Sequence, residues 1–571
     1  AGLIGRLGLP DGYTRSTPTQ EAYMDSLARL IEADAVRRLV DRDPTLFSSD
    51  VDLRQSIMQR LGWTDLAERA ESRLTLVENL AVAIAQEGAT DIVLLGMGGS
   101  SLAPLVMERV IGSAPGAPAL HVLDTTSPAA VRALRDSLTR NTTFFILSSK
   151  SGTTIEPLSL YAIFRAWMEE EMERPIAGKH FIAITDPGSP LEKMRAREFM
   201  RVALSAPPTV GGRFSALSVF GLAPAAMSGI DVRRMVVFAR EMEDSCHSPA
   251  EDNPAAALAA WIVDSHALGR DKLTLATSRR YEAFGLWVEQ LVAESTGKQG
   301  TGVIPVLDYE PTTPTGYGQD RALLVLRETQ DAVLARFADG ARAEGHPVHE
   351  ILLDEPLGIG AEFVRWEHAV ALAGHLLGIN PFDEPNVAKA KAATNAVLAG
   401  TARVPSANAD LDGIWTTYAG ALEGAAAPHD LSTSLAPLVA SLQLGDYLGV
   451  LAYLPSDSPA VSMLKHALEK LSSRLKVAVC FETGPRYLHS TGQLHKGGPD
   501  SGAFLLITTR ERANLAIPGS TFTLAQLFRA QAEGDLVTLA ATGRRVMRLD
   551  LPSDDLHSIQ AIAEALISAL S

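Results

Sequence analysis

Residues 148–154 bring the hydroxyls of Ser148, Ser149, Ser151, Thr153 and Thr154 together with the ammonium of Lys150 and the glycine Gly152. Hydroxyl and backbone donors at that density can surround a tetrahedral oxyanion. No carboxylate intrudes before Glu156. A second loop, residues 96–101, carries Gly96, Gly98 and Gly99, then Ser100 and Ser101. Glycines there let the backbone approach a ligand closely. The N-terminus of a following helix offers unpaired N–H groups and a partial positive charge, which suits an anion. The loop is not the dinucleotide fingerprint, because serines stand where its third glycine belongs. The two loops together nominate Gly99, Ser100, Ser149, Lys150, Ser151, Gly152, Thr153 and Thr154 as phosphate-binding residues.

Each loop follows an apolar run and precedes an amphipathic one. Short strands at 91–97, 119–124, 143–150 and 180–186 alternate with helical segments, the pattern of a doubly wound, mostly parallel sheet. In such sheets ligands sit at the carboxyl ends of the strands, where both loops lie. A second series predicts strands at 271–278, 301–308, 321–327 and 349–355. A small-residue stretch over 400–434 reads as a connection. Beyond it, strands are expected at 476–482, 503–509, 536–541 and 545–551, a smaller α/β unit. Apolar residues three and four apart make the first 75 residues helical. The expected units are therefore 1–75, 76–250, 251–400 and 401–571.

The chain has 571 residues and a formal net charge of −16. That balance excludes a nucleic-acid partner, since phosphate backbones select basic surfaces. It leaves room for a small phosphorylated ligand held by a local cluster of donors. Two cysteines, Cys246 and Cys480, make neither a disulfide framework nor a paired-thiolate metal site. No metal-ligand motif and no apolar stretch of 18 residues stands out. The expectation is a cytoplasmic enzyme with no metal, no cofactor and no membrane partner.

Residues 148–154 resemble the phosphate loop of SIS-domain proteins. Residues 211–218, with Gly211, Gly212, Arg213, Phe214 and Ser215, resemble one signature of the phosphoglucose isomerase family. Residues 289–298, with Gln290, Glu294 and Lys298, resemble its second. Residues 378–391 resemble its lysine segment, and the likeness spans roughly residues 80–395. The resemblance implies an α/β fold with two doubly wound SIS-type domains, beside an N-terminal helical segment and the C-terminal α/β region. It implies interconversion of glucose 6-phosphate and fructose 6-phosphate through a cis-enediol(ate), without a cofactor, in a homodimer. Glu294 is then the base, a task that suits a carboxylate. Gln290, four residues earlier, shares its helix face. Arg213 stabilises the developing charge, and Lys391 falls on the family's lysine position.

Two positions depart from the family. Glu384 stands where a substrate-binding glutamine is expected, and an added carboxylate there is unfavourable unless paired. Asp320 stands where a ring-opening histidine is expected. His346, His349, His368 and His375 lie nearby in sequence, three of the four in helix-like or linker contexts. The loop 484–498 of the third region holds His489 and His495, and His495 is favoured for ring opening, because residues 491–495 loosely echo the family's histidine loop. This region resembles the isomerase half of fused transaldolase–phosphoglucose isomerases. Two rival readings share the fold: a dual phosphoglucose/phosphomannose isomerase, and a non-catalytic sugar-phosphate sensor. The sensor has no reason to keep Glu294, Arg213 and Lys391 together.

Overall fold

The structure is a computed structural model that describes residues 25–308, 311, 314–454, 459–510, 514–553 and 556–568. Three sheets organise it. The first has five parallel strands in the order Ala119–Leu123, Asp91–Leu95, Thr143–Ser148, Phe181–Thr185, Val202–Ser205. Its central strands read as continuous apolar runs because both faces are covered. Ile92, Leu94, Phe144 and Ile146 point into one core, while Val93, Leu95, Phe145 and Leu147 point into another. Strand order reverses between Asp91–Leu95 and Thr143–Ser148, so the loops leaving these two strands open the crevice of a doubly wound sheet. These are the two loops nominated above.

The second sheet has four parallel strands in the order Ile304–Asp308, Lys272–Thr277, Arg321–Arg327, Val348–Leu352. The third has six: Ala409–Leu411, Ile414–Gly420, Arg545–Leu551, Gly502–Thr509, Tyr447–Ala452 and Ala478–Thr483. Its first two strands form an antiparallel hairpin on an otherwise parallel core. That hairpin lies inside the expected connection 400–434. Its turn is Asp412-Gly413, both with positive φ (51° and 90°), the geometry that two-residue hairpin turns require. The strand expected at 536–541 is instead the end of an 18-residue helix, Leu524–Ala541. A reciprocal capping box between Thr523 and Gln526 starts that helix, and its leucines fill two cores at once, so packing overrides the β-leaning Leu-Val-Thr-Leu run. Strands Val202–Ser205 and Tyr447–Ala452 were not anticipated.

Helices Ser26–Glu32, Ala35–Val40 and Val51–Met58 account for the helical N-terminal expectation over the described residues; residues 1–24 lie outside them. The segment after them works as a clamp. Gly62 N–H donates to Thr209 O (2.9 Å), and Leu61 bridges Val210. Trp63 stacks on Phe214 at 4.9 Å between centroids, and Phe214 meets Phe382 at 5.5 Å. One aromatic cluster thus fixes the loops carrying Arg213 and Glu384. Trp63 is 1% exposed. Trp63→Ala should cost about 3–5 kcal/mol, read as a lower denaturant midpoint together with lost activity per molecule.

The third sheet's helices dock on the other two sheets. Leu524 and Leu527 enter the core under the first sheet, and Phe528, Leu536 and Leu539 share a core with Ile304 and Val306. The C-terminal region is therefore placed to add side chains to a crevice that the first sheet opens. Among the described residues no helix is long and apolar enough to cross a membrane.

Candidate active site

The loop after Asp91–Leu95 makes a 3-10 turn, Gly98–Ser100. Its glycines serve close approach. A Cβ on Gly99 would lie 2.2 Å from the carbonyl of Gly212, and one on Gly98 would lie 2.6 Å from His489 O. Gly98 also has φ +55°. Ser100 accepts from Ser148 Oγ through its carbonyl (3.0 Å), which ties this loop to the next. Gly99 and Ser100 thus knit three loops into one surface.

In the second loop Ser149 Oγ pairs with Thr154 Oγ1 (2.9 Å) and Ser151 Oγ with Thr153 Oγ1 (2.9 Å). Gly152 takes φ +68°, which turns the chain back to its helix. Thr154 is the N-cap of helix Ile155–Glu169, yet its hydroxyl bonds Ser149 and does not cap, so the first-turn amides keep their donors for another acceptor. Lys150 departs from the expected role. Its ammonium is bound by both Asp186 oxygens (2.8 and 2.6 Å) and by Pro208 O. The cradle is therefore made of hydroxyls and backbone, with Lys150 bracing it from Asp186.

Helix Glu282–Thr296 presents Gln290 and Glu294 one turn apart on one face. Gln290 Nε2 donates to Glu294 Oε2 (3.2 Å) and to His489 O (2.8 Å). Arg213, in the turn Gly212–Phe214, sets Nη1 at 3.4 Å from Glu294 Oε1 and 3.1 Å from Glu384 Oε2. Its other nitrogens are fixed by Ser295 Oγ, Pro381 O and Asp383 O. Burial pushes the Glu294 carboxyl above the usual carboxylate range, and the Arg213 charge opposes this only in part. A carboxylate so raised is a stronger base than an exposed one. Lys298 binds Asn380 O, Asp383 O and Asp383 Oδ1. Burial and the neighbouring Arg213 charge push its ammonium down to about 8.

A cleft lined by Thr153, Glu156, Lys391, His489 and Gln531 among others is linked to this group through His489, whose carbonyl accepts from Gln290 Nε2. Lys391 lies on helix Pro385–Leu398, and of the two neighbouring lysines it is the one that lines the cleft. His489 ends the turn Arg486–His489 and donates from Nε2 to the Glu156 Oε1 carboxylate oxygen (2.8 Å). Gln531 Nε2 donates to that same oxygen (2.7 Å). Burial pushes Glu156 up, but the His489 ring and its hydrogen bond outweigh this and hold it below the usual range.

The favoured histidine lies away from the cleft. His495 is 1% exposed, and its two ring nitrogens face Tyr447 OH (3.1 Å) and Glu482 Oε1 (3.0 Å) inside the C-terminal core. With both nitrogens engaged and no opening to the cleft, it has no proton to exchange with a ligand. Its neighbour His489 instead lines the cleft, with Nε2 2.8 Å from Glu156 Oε1. Asp320 sits at the start of strand Arg321–Arg327, beside Lys272 and Arg321, outside the cleft. His346, His349, His368 and His375 are likewise absent from the cleft lining; His349 packs on Trp261 and His368 on Trp63.

The sequence reasoning missed His489, Glu156 and Arg60. A first-turn carboxylate after the hydroxyl loop was the one available signal for Glu156. The assembled groups can hold an anion at 149–154, abstract a proton beside a carbonyl with Glu294, stabilise the resulting oxyanion with Arg213, and exchange a proton at oxygen with His489.

Comparisons with known proteins agree with this geometry. Residues 80–322 match the phosphoglucose isomerase family model. A glucose-6-phosphate isomerase of Rubrobacter xylanophilus is 28% identical over 380 residues, covering 58% of this chain and 86% of the relative. One of Thermus thermophilus is 29% identical over 385 residues, covering 60% and 90%. Among solved structures, a hypothetical protein of Thermus thermophilus aligns with a TM-score of 0.57 at 27% identity, covering 66% of this chain and 98% of that one. The fold of a glucose-6-phosphate isomerase from Chlamydia trachomatis aligns at 0.50 with 16% identity, covering 66% and 85%. Two signatures converge on one buried carboxylate and guanidinium, and over residues 80–322 the chain is similar to the phosphoglucose isomerase family.

Proposed function

We propose that the chain is a glucose-6-phosphate isomerase, and that it exchanges the C1 and C2 protons of its substrate through Glu294. The observation that carries this reading is the continuous contact from Glu294 through Gln290 to His489 and Glu156, which joins a carbon-directed base to an oxygen-directed acid–base pair. The phosphate rests on the hydroxyls of Ser149, Ser151, Thr153 and Thr154 and the first-turn amides. His489 moves the ring proton from the hydroxyl to the ring oxygen, opening the sugar, with Glu156 holding its tautomer. Glu294 then takes the proton from C2 and returns it to C1 on the same face of a cis-enediolate. Arg213 stabilises the oxyanion as it forms, and Lys391 adds positive charge at the cleft wall. Proton transfer between neighbouring carbons requires no redox cofactor.

The same reading supports a cytoplasmic setting and a homodimer in keeping with the family. The divisions at 75/76, 250/251 and 400/401 serve as its working units. His489 and Glu156 belong to one chain.

Ser151→Ala with Thr153→Ala should raise KM for fructose 6-phosphate by at least about a hundredfold, since each hydrogen bond to a charged group is worth roughly 1.5–3 kcal/mol net. kcat should change far less. A coupled dehydrogenase assay reads both, and an unchanged KM would remove the loop from the phosphate site.

A further inference from the structure

Glu384 brings a second carboxylate to within reach of the same guanidinium nitrogen that faces Glu294. Arg213 is locked: Nε donates to Ser295 Oγ (2.8 Å), and Nη2 to Pro381 O (2.6 Å) and Asp383 O (3.2 Å). All three acceptors are neutral. Only Nη1 meets carboxylates, Glu384 at 3.1 Å and Glu294 at 3.4 Å. The Arg213 side chain is 3% exposed, so these interactions are weakly screened. Glu384 in turn has a partner outside the pair, because Arg60 Nη2 lies 3.6 Å from its Oε1. Arg60 follows the helix Val51–Met58 and reaches Glu384 past Gly211. The carboxylate that seemed unfavourable from sequence is thus flanked by two arginines.

Four charged or titratable groups besides Glu384 surround Glu294 and Gln290. Arg213 comes from the turn Gly212–Phe214. Lys298 follows the base's own helix and is held by Asp383. Lys391 and His489 line the cleft, and His489 O accepts from Gln290 Nε2. Among the described carboxylates, only Glu384 shares a guanidinium nitrogen with Glu294. A lone buried Arg–Glu pair lowers the carboxylate's proton affinity and makes it a poor base. Dividing the guanidinium between two carboxylates relieves that effect.

We propose that Glu384, held by Arg60, is a positioning residue that shares Arg213 with Glu294 and thereby keeps Glu294 basic enough to abstract a carbon-bound proton. This rests on the reading of Glu294 as the base. Burial pushes Glu384 up, but the Arg213 and Arg60 charges outweigh it and leave Glu384 below the usual carboxylate range, so it stays ionised where Glu294 is not yet fully so.

Two near-isosteric variants separate the roles. In Glu384→Gln, Arg213 Nη1 serves Glu294 alone, and the acid limb of kcat/KM moves down by about one pH unit. Plateau kcat falls a few-fold, as expected of a weaker base. In Arg60→Met, Glu384 leans more heavily on Arg213, and the limb moves up. The double variant follows Glu384→Gln, because Arg60 acts through Glu384. Titration of the Glu294 carboxyl by 13C NMR in the ligand-free protein, assigned with Glu294→Gln, gives the same three shifts without using activity. Shifts of opposite sign in the two single variants support the proposal. No shift, or shifts of the same sign, overturns it. Wild type that lacks isomerase activity but shows the opposed NMR shifts would sink the functional reading while the charge competition stands.

Discussion

Glu294→Gln abolishes turnover of fructose 6-phosphate almost completely: kcat falls about 10³–10⁴-fold, with KM within a few-fold of wild type. The glutamine keeps the shape of the side chain and can still accept from Gln290 Nε2, which lies 3.2 Å from Oε2 in the native site. Arg213 retains Ser295, Pro381, Asp383 and Glu384, so its position does not depend on the base. What disappears is the proton acceptor. Positioned general bases contribute on the order of 10²–10⁴-fold. The upper end fits a carbon acid whose only other acceptor is water, and it corresponds to roughly 4–5.5 kcal/mol of barrier. The pH profile carries a second signature. Glu294 must be ionised to act, and burial raises its proton affinity above the ordinary carboxylate value. kcat/KM therefore declines as pH falls through a limb lying above 4.5. Substrate binding, read by a thermal shift with fructose 6-phosphate, persists in the variant. A variant that still turns over would mean that another group is the base.

His489→Gln lowers kcat on ring-closed sugar phosphate about 10²-fold, and Glu156→Gln lowers it less. His489 Nε2 meets Glu156 Oε1 at 2.8 Å, and Gln531 holds that oxygen from the C-terminal region. The pair fixes which ring nitrogen faces the substrate, the task a carboxylate performs for an acid–base imidazole. Spontaneous ring opening leaves a residual rate, so the loss is smaller than for Glu294. His495→Gln gives the opposing result. It breaks buried contacts to Tyr447 and Glu482 and costs about 1–3 kcal/mol of stability, while activity per folded molecule holds. Stopped-flow turnover beside denaturant midpoints for both histidine variants distinguishes the two. If His495 instead carried the catalytic loss, the assignment of the ring-opening group would revert to it.

These two histidines show where sequence reasoning ends. They are six positions apart in one glycine-rich loop, and local chemistry does not rank them. The choice is made by docking of the C-terminal helices on Glu156, through contacts more than 300 residues apart in the chain. The phosphate loop was legible because its hydroxyls and glycine are contiguous and follow a buried apolar strand. Gln290 and Glu294 were legible because helical spacing puts positions four apart on one face. The engagement of Lys150 by Asp186 and the approach of Arg60 to Glu384 are tertiary and left no local trace. The hairpin Ala409–Gly420 did leave one, the dipeptide Asp412-Gly413, which the surrounding small residues obscured. The helix Leu524–Ala541 was misread at its end because Val and Thr favour strands only until tertiary packing decides.

The most direct measurement is conversion of fructose 6-phosphate in D₂O, with the product glucose 6-phosphate examined by NMR. A base that exchanges its proton with solvent between abstraction and return leaves deuterium at C2 in a fraction of the product, and the account predicts steady conversion with that label. A folded protein that yields no glucose 6-phosphate, or a product wholly free of deuterium at C2, would contradict it.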